Sequence, residues 1–290
     1  MTAKKTYIFT PFSKEEKKLF LNNYLEHLYR RNGKADLRTR LFSVREEFFC
    51  NLEAHPIRRS GLPVVDKVVF KRNETRRHPE PGLDKATLWA LAVAKSNRAE
   101  RDGVEYMLSR AGKNFYGPQD PLTYISIEEF YHTRVLKDAL NVLNLEMQHL
   151  PPPLMSRTIG RLMTQLPKPI ANVIVFAAEV AGVAAFRLLR DKAYELFDDQ
   201  PEPLKRIGEL FQQIMVDEVG HVHYVRSQLG PARLKVAQAI LPIVARGFIN
   251  DIPEYKLLFG AKLMDTIIRA DVDSAVAHYP DKFVPHDIQK

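Results

Sequence analysis

The sequence predicts an all-α protein built around a bundle of long helices. Segments with apolar residues at helical spacing fill most of the chain, and good helix-capping residues precede two of them at Asp84 and Asp120. The stretch Ile170–Phe186 is apolar on every side except at Asn172 and Glu179, which is typical of a helix buried in a bundle. A repeated carboxylate–histidine pattern runs through these segments and supports the same class.

The repeated pattern is a lone Glu followed by a Glu-x-x-His pair, and it occurs twice in order. Side chains at i and i+3 share a helix face, so a carboxylate and an imidazole can converge on one metal ion. Bundles that hold two metal ions take one Glu from each of two helices and a Glu-x-x-His pair from each of two others. The predicted ligands are Glu100, Glu129, His132, Glu179, Glu218 and His221.

A third Glu-x-x-His match, Glu146 with His149, does not fit the repeat. It follows Glu129 by 17 residues, which places it roughly 100° around the helix from that residue. The Pro151–Pro153 run is expected to end the helix just afterwards. We interpret this pair as a surface or helix-end feature.

Glu179 is the most informative single residue. Burying an unpaired ionised carboxylate is costly unless a metal ion compensates its charge or the group is protonated. The alternative interpretation is a protonated or hydrogen-bonded core glutamate. The small residues around it should leave space beside the metals for oxygen and substrate; they are Ala177, Ala178, Ala181, Gly182, Ala184 and Ala185.

Composition sets the broad class. The chain has 290 residues, of which 45% are hydrophobic, enough for a sizeable core. Its one cysteine, Cys50, excludes an intramolecular disulfide framework and thiolate-rich zinc or iron–sulfur sites. The first residues show no signal peptide, and Ile170–Phe186 is too short and too charged at its centre for a membrane span. We therefore expect a cytoplasmic protein without a transmembrane segment.

The net charge of +8 predicts an anionic partner, and part of this charge is local. A basic segment lies between His55 and His78, with only Asp66 and Glu74 as acidic residues. A solvated basic loop is the simpler interpretation. The cations of the segment are Arg58, Arg59, Lys67, Lys71, Arg72, Arg76 and Arg77.

Before the predicted bundle, a capping box at Ser13 starts a helix that stops near Gly33, and a second helix is expected over 36–54. Residues 55–82 contain four prolines and read as a connection, with a short strand or extended stretch near 64–70. Three acidic residues of the second helix have no matching motif and are expected to be solvated; they are Glu46, Glu47 and Glu53.

Four ligand-bearing helices are expected over about 84–110, from Asp120 to the proline run, and over 169–197 and 203–228. For the second of these helices, a capping box at Ser126 offers a later start, but that start would leave the apolar residues Leu122 and Ile125 outside the helix. A short helix is expected over 153–165, two more at about 234–249 and 255–276, and a loose tail over 278–290. We expect a single domain, 1–290, with a core at 84–228 and helical additions at 1–83 and 231–290.

These motifs resemble the ferritin-like di-iron carboxylate superfamily, over roughly Asp84 to Gln228. That superfamily includes ribonucleotide reductase small subunits, bacterial monooxygenase hydroxylases, demethoxyubiquinone hydroxylases, tRNA hydroxylases and p-aminobenzoate N-oxygenase-like enzymes. The resemblance implies a ferritin-like four-helix bundle with additional N- and C-terminal helices. It also implies that Glu129 and Glu218 lie between two ions and that His132 and His221 each bind one.

Metal-bound histidines usually donate their second ring N–H to a carboxylate. By resemblance, Asp217 takes this role, and Glu128 holds the equivalent place before Glu129. Ordinary surface charge is the alternative for both. The N-oxygenases of the p-aminobenzoate type add a third histidine one turn before the second Glu-x-x-His, where this chain has Ile214. His223 lies about 200° around the helix from His221 and is not a simple replacement.

Four carboxylates and two imidazoles suit two iron ions, or manganese with iron, better than copper or structural zinc. The expected function is an O2-dependent di-iron oxidase or oxygenase that oxidises a C–H or N–H bond of a small or carrier-bound substrate, with no catalytic residue beyond the metal ligands. No flavin, nicotinamide or iron–sulfur motif is visible, so a separate reductase or ferredoxin is expected to supply electrons.

The alternatives are a tRNA-modifying hydroxylase and a ferroxidase or iron-binding protein. Nucleic acid is less favoured than a protein partner because Phe70 is the only aromatic ring in the basic segment. A homodimer is compatible with the sequence.

Overall fold

The computed structural model describes residues 8–36, 38–57, 64–111, 120–148 and 165–285. Most of these residues are helical, and the strands among them form one two-stranded hairpin. The predicted all-α class is therefore confirmed. Residues 153–164 of the predicted short helix lie outside the described residues, as do Arg58, Arg59 and His149.

The N-terminal part contains α1 (Lys14–Asn32), α2 (Ser43–Ala54) and α3 (Lys67–Glu74). The predicted capping box at α1 is confirmed: the Glu16 amide donates to the Ser13 hydroxyl at 3.1 Å, and the Ser13 amide donates to the Glu16 carboxylate at 2.7 Å. This exchange satisfies amides that the first helical turn leaves without partners.

The predicted start of the second helix at Asp36 is wrong. The chain there instead contains β1 (Ala35–Asp36) and β2 (Leu41–Phe42), which pair antiparallel with Ala35 opposite Phe42. Arg40 has a positive φ of 58°, a conformation that an α-helix does not contain. The helix therefore begins only after the fully buried Phe42.

The predicted strand near 64–70 is also wrong, because α3 begins there. The Asp66 carboxylate accepts hydrogen bonds from the amides of Val68 at 2.7 Å and Val69 at 3.1 Å, which caps the helix. Phe70 is then fully buried. A strong cap and a buried aromatic anchor thus override the strand propensity of the four valines at 64–70.

Four long helices form the centre of the molecule: α4 (Lys85–Ala111), α5 (Pro121–Val142), α6 (Lys168–Leu196) and α7 (Pro201–Ser227). In this group α4 packs on α5, α5 on α7 and α7 on α6, while α6 makes a lighter contact with α4. Among the described residues, α6 has the length and apolarity of a membrane-spanning helix, with a mean hydropathy of 1.8 over its most apolar window. Because 56% of that window is buried inside the protein, α6 packs as a core helix does.

Helix α5 starts where the Asp120 carboxylate accepts from the Leu122 amide at 2.9 Å, which confirms the earlier start. The capping-box alternative is wrong, since the Ser126 hydroxyl donates to the Leu122 carbonyl inside the helix at 2.7 Å. The helix ends at Val142, well before the proline run, and Asn144 then adopts a left-handed φ of 59°.

The C-terminal part contains α8 (Pro231–Asp251), α9 (Glu254–Phe259) and α10 (Leu263–Ile268), with short 3-10 turns at Gly260–Lys262 and Asp273–Ala275. The single helix predicted over 255–276 is therefore wrong. It is interrupted at Gly260, whose φ of 68° is incompatible with a continuous α-helix.

The loose tail predicted over 278–290 is wrong for its described part, residues 278–285. Phe283 is 9% exposed and stacks on His27 of α1, with ring centroids 4.7 Å apart. Asp281 forms an ion pair with Arg31. The tail is ordered because an aromatic ring and a carboxylate both find partners on α1.

Candidate metal centre

All six predicted ligands come together at the centre of the four long helices. The donor atoms form two groups, and in each group they lie within 4.8 Å of one another. One group contains Glu100, Glu129, His132 and Glu218; the other contains Glu129, Glu179, Glu218 and His221. Glu129 and Glu218 belong to both groups, so the donor set describes two neighbouring cation positions that share two carboxylates.

Each of the four helices supplies part of this cluster. Glu100 comes from α4 and Glu179 from α6, while α5 and α7 each supply a Glu-x-x-His pair. Both pairs lie on helices as the i, i+3 spacing requires, which places the carboxylate and the imidazole on one face. The cluster thus draws on all four helices, in the order that the repeated pattern in the sequence predicts.

The histidine Nδ1 atoms face the carboxylates. His132 Nδ1 lies 3.1 Å from Glu218, 3.5 Å from Glu100 and 3.5 Å from Glu129. His221 Nδ1 lies 3.0 Å from Glu129. Both rings are completely buried, and neither Nδ1 atom has a hydrogen-bond partner of acceptable geometry.

A buried ring nitrogen without a hydrogen bond is unusual, and it calls for a partner such as an ion. The nitrogen atoms of His132 and His221 are surrounded by carboxylate oxygens, the other donor type that suits divalent iron and manganese. The residues present therefore fit a pair of metal ions.

The Nε2 atoms face a second pair of carboxylates. His132 Nε2 lies 3.3 Å from Asp217 Oδ2, and His221 Nε2 lies 2.9 Å from Glu128 Oε2. Each carboxylate thus contacts the histidine of the other helix. Asp217 of α7 contacts His132 of α5, and Glu128 of α5 contacts His221 of α7. The structure places both predicted outer carboxylates against the histidines, where they can fix the imidazole tautomer.

The outer carboxylates are held by residues from α1 and α2. Arg45 Nη2 donates to Asp217 at 2.5 and 2.7 Å, and Arg31 Nε donates to Asp217 at 2.6 Å. Asn32 donates to Glu128 at 2.6 Å and accepts from Arg45 Nε at 2.8 Å. One buried guanidinium therefore connects the partners of both histidines.

Sequence reasoning missed Arg31, Asn32 and Arg45. Arg31 lies in the last turn of α1, where a cation is common, and the other two have no spacing that relates them to the repeat. Only the packing of α1 and α2 on α5 and α7 reveals their role.

Burial strongly perturbs the ionisation of the cluster. Burial raises the pKa of Glu100 to about 8. Burial and the nearby carboxylates of Glu218 and Glu129 raise the pKa of Glu179 well above its usual range. For Glu129, contacts with both histidines outweigh burial and lower the pKa. Arg31 and Arg45 likewise outweigh burial at Asp217 and hold its pKa well below the usual range.

The charges explain why cations would be favoured here. Four ligand carboxylates and two outer carboxylates face two guanidinium groups, those of Arg31 and Arg45. With all carboxylates ionised and the imidazoles neutral, this leaves four negative charges, equal to the charge of two divalent ions. Without cations, such a group must bind protons instead.

The cluster is sealed on the histidine side and more open on the other. The side chains of His132 and His221 have no exposed surface, whereas the Glu100 side chain is 17% exposed. Glu179 is also only partly buried, and its neighbour Ala178 is exposed. Of the small residues flagged in α6, Gly182 faces the cluster: a Cβ at this position would lie 3.8 Å from Glu218 Oε2.

The residues outside the repeat lie outside the cluster. Glu146 is exposed and follows the end of α5. His223 is buried elsewhere, with Nε2 2.7 Å from Asp273, and Ile214 is fully buried. Glu46, expected to be solvated, instead accepts a hydrogen bond from the Tyr131 hydroxyl at 2.6 Å and pairs with Arg134 at 3.1 Å.

Comparison with protein-family models, curated proteins and solved structures gave no match for this chain.

Proposed function

We propose that this chain is a ferritin-like di-iron carboxylate protein that uses O2 to oxidise a C–H or N–H bond of an organic substrate. The single observation that carries the proposal is the pair of overlapping donor groups that share Glu129 and Glu218, each completed by one histidine whose buried Nδ1 atom faces the carboxylates without a hydrogen bond. Carboxylate-rich sites with one imidazole per ion suit non-haem iron, or iron with manganese.

The outer carboxylates would prepare the histidines for metal binding. Asp217 and Glu128 accept from the Nε2 side, which favours the tautomer protonated at Nε2. The Nδ1 lone pair is then free to point into the cluster. Arg31 and Arg45 stabilise the ionised form of Asp217, so the acceptor stays available at neutral pH.

Two of the four glutamates would serve both ions, and the other two would serve one ion each. Glu129 and Glu218 lie in both donor groups and would help to hold both ions, while Glu100 and Glu179 would each help to hold one. When bound, the two ions supply the electrons that O2 accepts, and their replenishment requires an external reductase or ferredoxin.

The open side of the cluster is the proposed position for O2 and substrate. Glu100 and Glu179 lie on this side, and Gly182 leaves space beside Glu218. The apolar surface of α6 would exclude water from the same region, which protects an oxidising centre from side reactions.

The tRNA-modifying alternative depends on the basic segment and receives less support. Arg72 and Arg76 both pair with Glu80, at 2.6 and 3.0 Å, so part of the positive charge is neutralised within the protein. We therefore propose that the substrate is a free small molecule or is delivered by a carrier protein.

Metal analysis followed by oxygen exposure tests the proposal. Purified protein loaded with Fe(II) under anaerobic conditions should hold close to two ions per chain, as six ligands in two groups require. Rapid mixing with O2 should then give a transient absorption change that His221→Ala abolishes. Binding of two ions with no reaction toward O2 would contradict an oxidase or oxygenase, and rapid uptake of many ions per chain would indicate a ferroxidase instead.

A further inference from the structure

The outer side of α8 presents apolar residues to solvent. Its inner side faces the protein, and the buried residues on that side follow helical spacing: Leu234, Ala237, Leu241, Ala245 and Ile249. On the opposite side, Val236 is 51% exposed and Ile243 is 69% exposed. Ala232 and Ala239 are exposed as well, and at about 100° per residue the four residues fall within roughly 60° of one another. We call these four residues the outer stripe.

Cations border the outer stripe on both sides. Arg233 lies about 90° from the centre of the stripe in one direction, and Lys235 and Arg246 lie about 50–70° from it in the other. All three are exposed. The sequence from Gly230 to Asn250 contains no Asp or Glu, and the first carboxylate is Asp251 at the last residue of the helix.

This arrangement is that of a helix that lies on an anionic lipid surface. Such helices bury an apolar face at the level of the lipid headgroups and place Lys and Arg beside it, where they meet the lipid phosphates. We infer that the outer stripe of α8 binds the surface of a membrane that contains anionic lipids, with the helix axis parallel to that surface. The inference does not depend on which metal the bundle holds.

Two other occupants fit the face less well. A second copy of the chain, related by a two-fold axis, would bring the cations of one α8 against those of the other, and like charges at an interface are unfavourable. An acidic protein would match the charge, but the outer stripe consists of two alanines, one valine and one isoleucine. Protein interfaces are instead enriched in aromatic anchors at their centre.

The binding should be peripheral and reversible. Only Val236 and Ile243 offer large apolar side chains, so the apolar contribution is small and the cations are needed for stable attachment. Each Lys or Arg near an anionic surface contributes roughly a five-fold factor in partitioning, and salt screens that attraction.

Vesicle sedimentation with full-length, metal-loaded protein tests the inference. The probes are vesicles of phosphatidylcholine alone and of phosphatidylcholine with about one third phosphatidylglycerol, at low and moderate salt. We expect binding to the anionic vesicles only, weakened by salt. Ile243→Ser should reduce binding severalfold, and Arg233→Gln with Lys235→Gln and Arg246→Gln should reduce it on the order of 100-fold.

Matched controls separate the outer stripe from general effects. Val68→Ser changes another aliphatic residue that is 73% exposed, on α3, and should bind as wild type does. Changing Lys14, Lys18 and Lys34 to Gln removes the same charge from exposed positions elsewhere and should have a much smaller effect than the α8 triple variant. Thermal unfolding of each variant should match wild type, because all these side chains are exposed.

Several results would overturn the inference. Absence of vesicle binding would do so, as would equal losses in the α8 and control triple variants. Sedimentation equilibrium provides the remaining check: a concentration-dependent dimer that Ile243→Ser dissociates would assign the face to a second copy. Binding to a soluble acidic protein without any binding to vesicles would assign it to a protein partner.

Discussion

Arg45 Nη2 lies 2.5 and 2.7 Å from the two carboxylate oxygens of Asp217, so a side chain from α2 determines the charge and position of a carboxylate beside a buried histidine of α5. Arg45 also donates to Asn32, which holds Glu128 against His221. The guanidinium therefore acts on both halves of the donor set. The N-terminal helices are part of the candidate metal centre through these contacts.

Replacing Arg45 by Met should weaken metal binding at both positions by about 10–100-fold, the usual cost of losing a partner of a metal-bound histidine. Arg45→Lys should restore part of the affinity, because it keeps the charge but not the forked geometry. Competition with a chelator of known affinity measures the effect. Arg134→Met is the control, since Arg134 pairs with Glu46 and covers Phe49 without touching the cluster. A lower melting temperature with unchanged metal affinity would mean that Arg45 is only structural.

Glu179→Ala should remove most of the bound metal, because Glu179 is the one donor that α6 supplies. Replacing Glu146 and His149 together by Ala should leave metal content and oxygen reactivity near wild type, since Glu146 is exposed beyond the end of α5. Elemental analysis of the purified variants gives the answer. Equal losses in both variants would show that the repeated pattern has been misread.

Metal affinity should rise with pH up to about 8, because burial raises the pKa of Glu100 to about 8 and the ion must displace its proton. The sign for stability is opposite in the metal-free protein. There the folded state keeps a proton that the unfolded chain loses above its ordinary pKa of 4.5, so stability falls as pH rises toward about 8.

The increase in melting temperature on adding Mn(II) should therefore grow between pH 6 and 8. Thermal unfolding with and without the ion measures it, and Glu80→Gln, a change at a carboxylate that belongs to neither donor group, should leave the trend unchanged. A constant increment across that range would contradict a protonated Glu100 in the metal-free protein.

Gly220→Ala should destabilise the protein. Gly220 lies between Glu218 and His221, and a Cβ at this position would lie 3.0 Å from both Cε2 and the hydroxyl oxygen of Tyr24. The Tyr24 ring is 1% exposed and stacks on Phe20, so it has little room to move. Overpacking of this kind costs about 1–3 kcal/mol. Calorimetry should show a lower melting temperature, while Gly247→Ala, with open space around the new methyl group, should be neutral or stabilising.

The sequence by itself determined the helical class and the six members of the donor set. Both follow from periodicity: apolar spacing indicates the helices, and the i, i+3 spacing of Glu129 with His132 and of Glu218 with His221 indicates one face of each. The capping residues Ser13 and Asp120 also determined where two helices begin, because a cap is a local interaction between residues a few positions apart.

Tertiary structure decided what depends on contacts between distant residues. The pairing of Asp217 with His132, and of Glu128 with His221, could not be assigned from neighbours in sequence, because each carboxylate reaches the other helix. Arg45 acquires its role only when α2 packs against the bundle. Phe283 likewise orders the C-terminal residues only because α1 offers His27 as a partner. Spacing along one helix predicts which side chains share a face, but the packing of separate helices determines which faces meet.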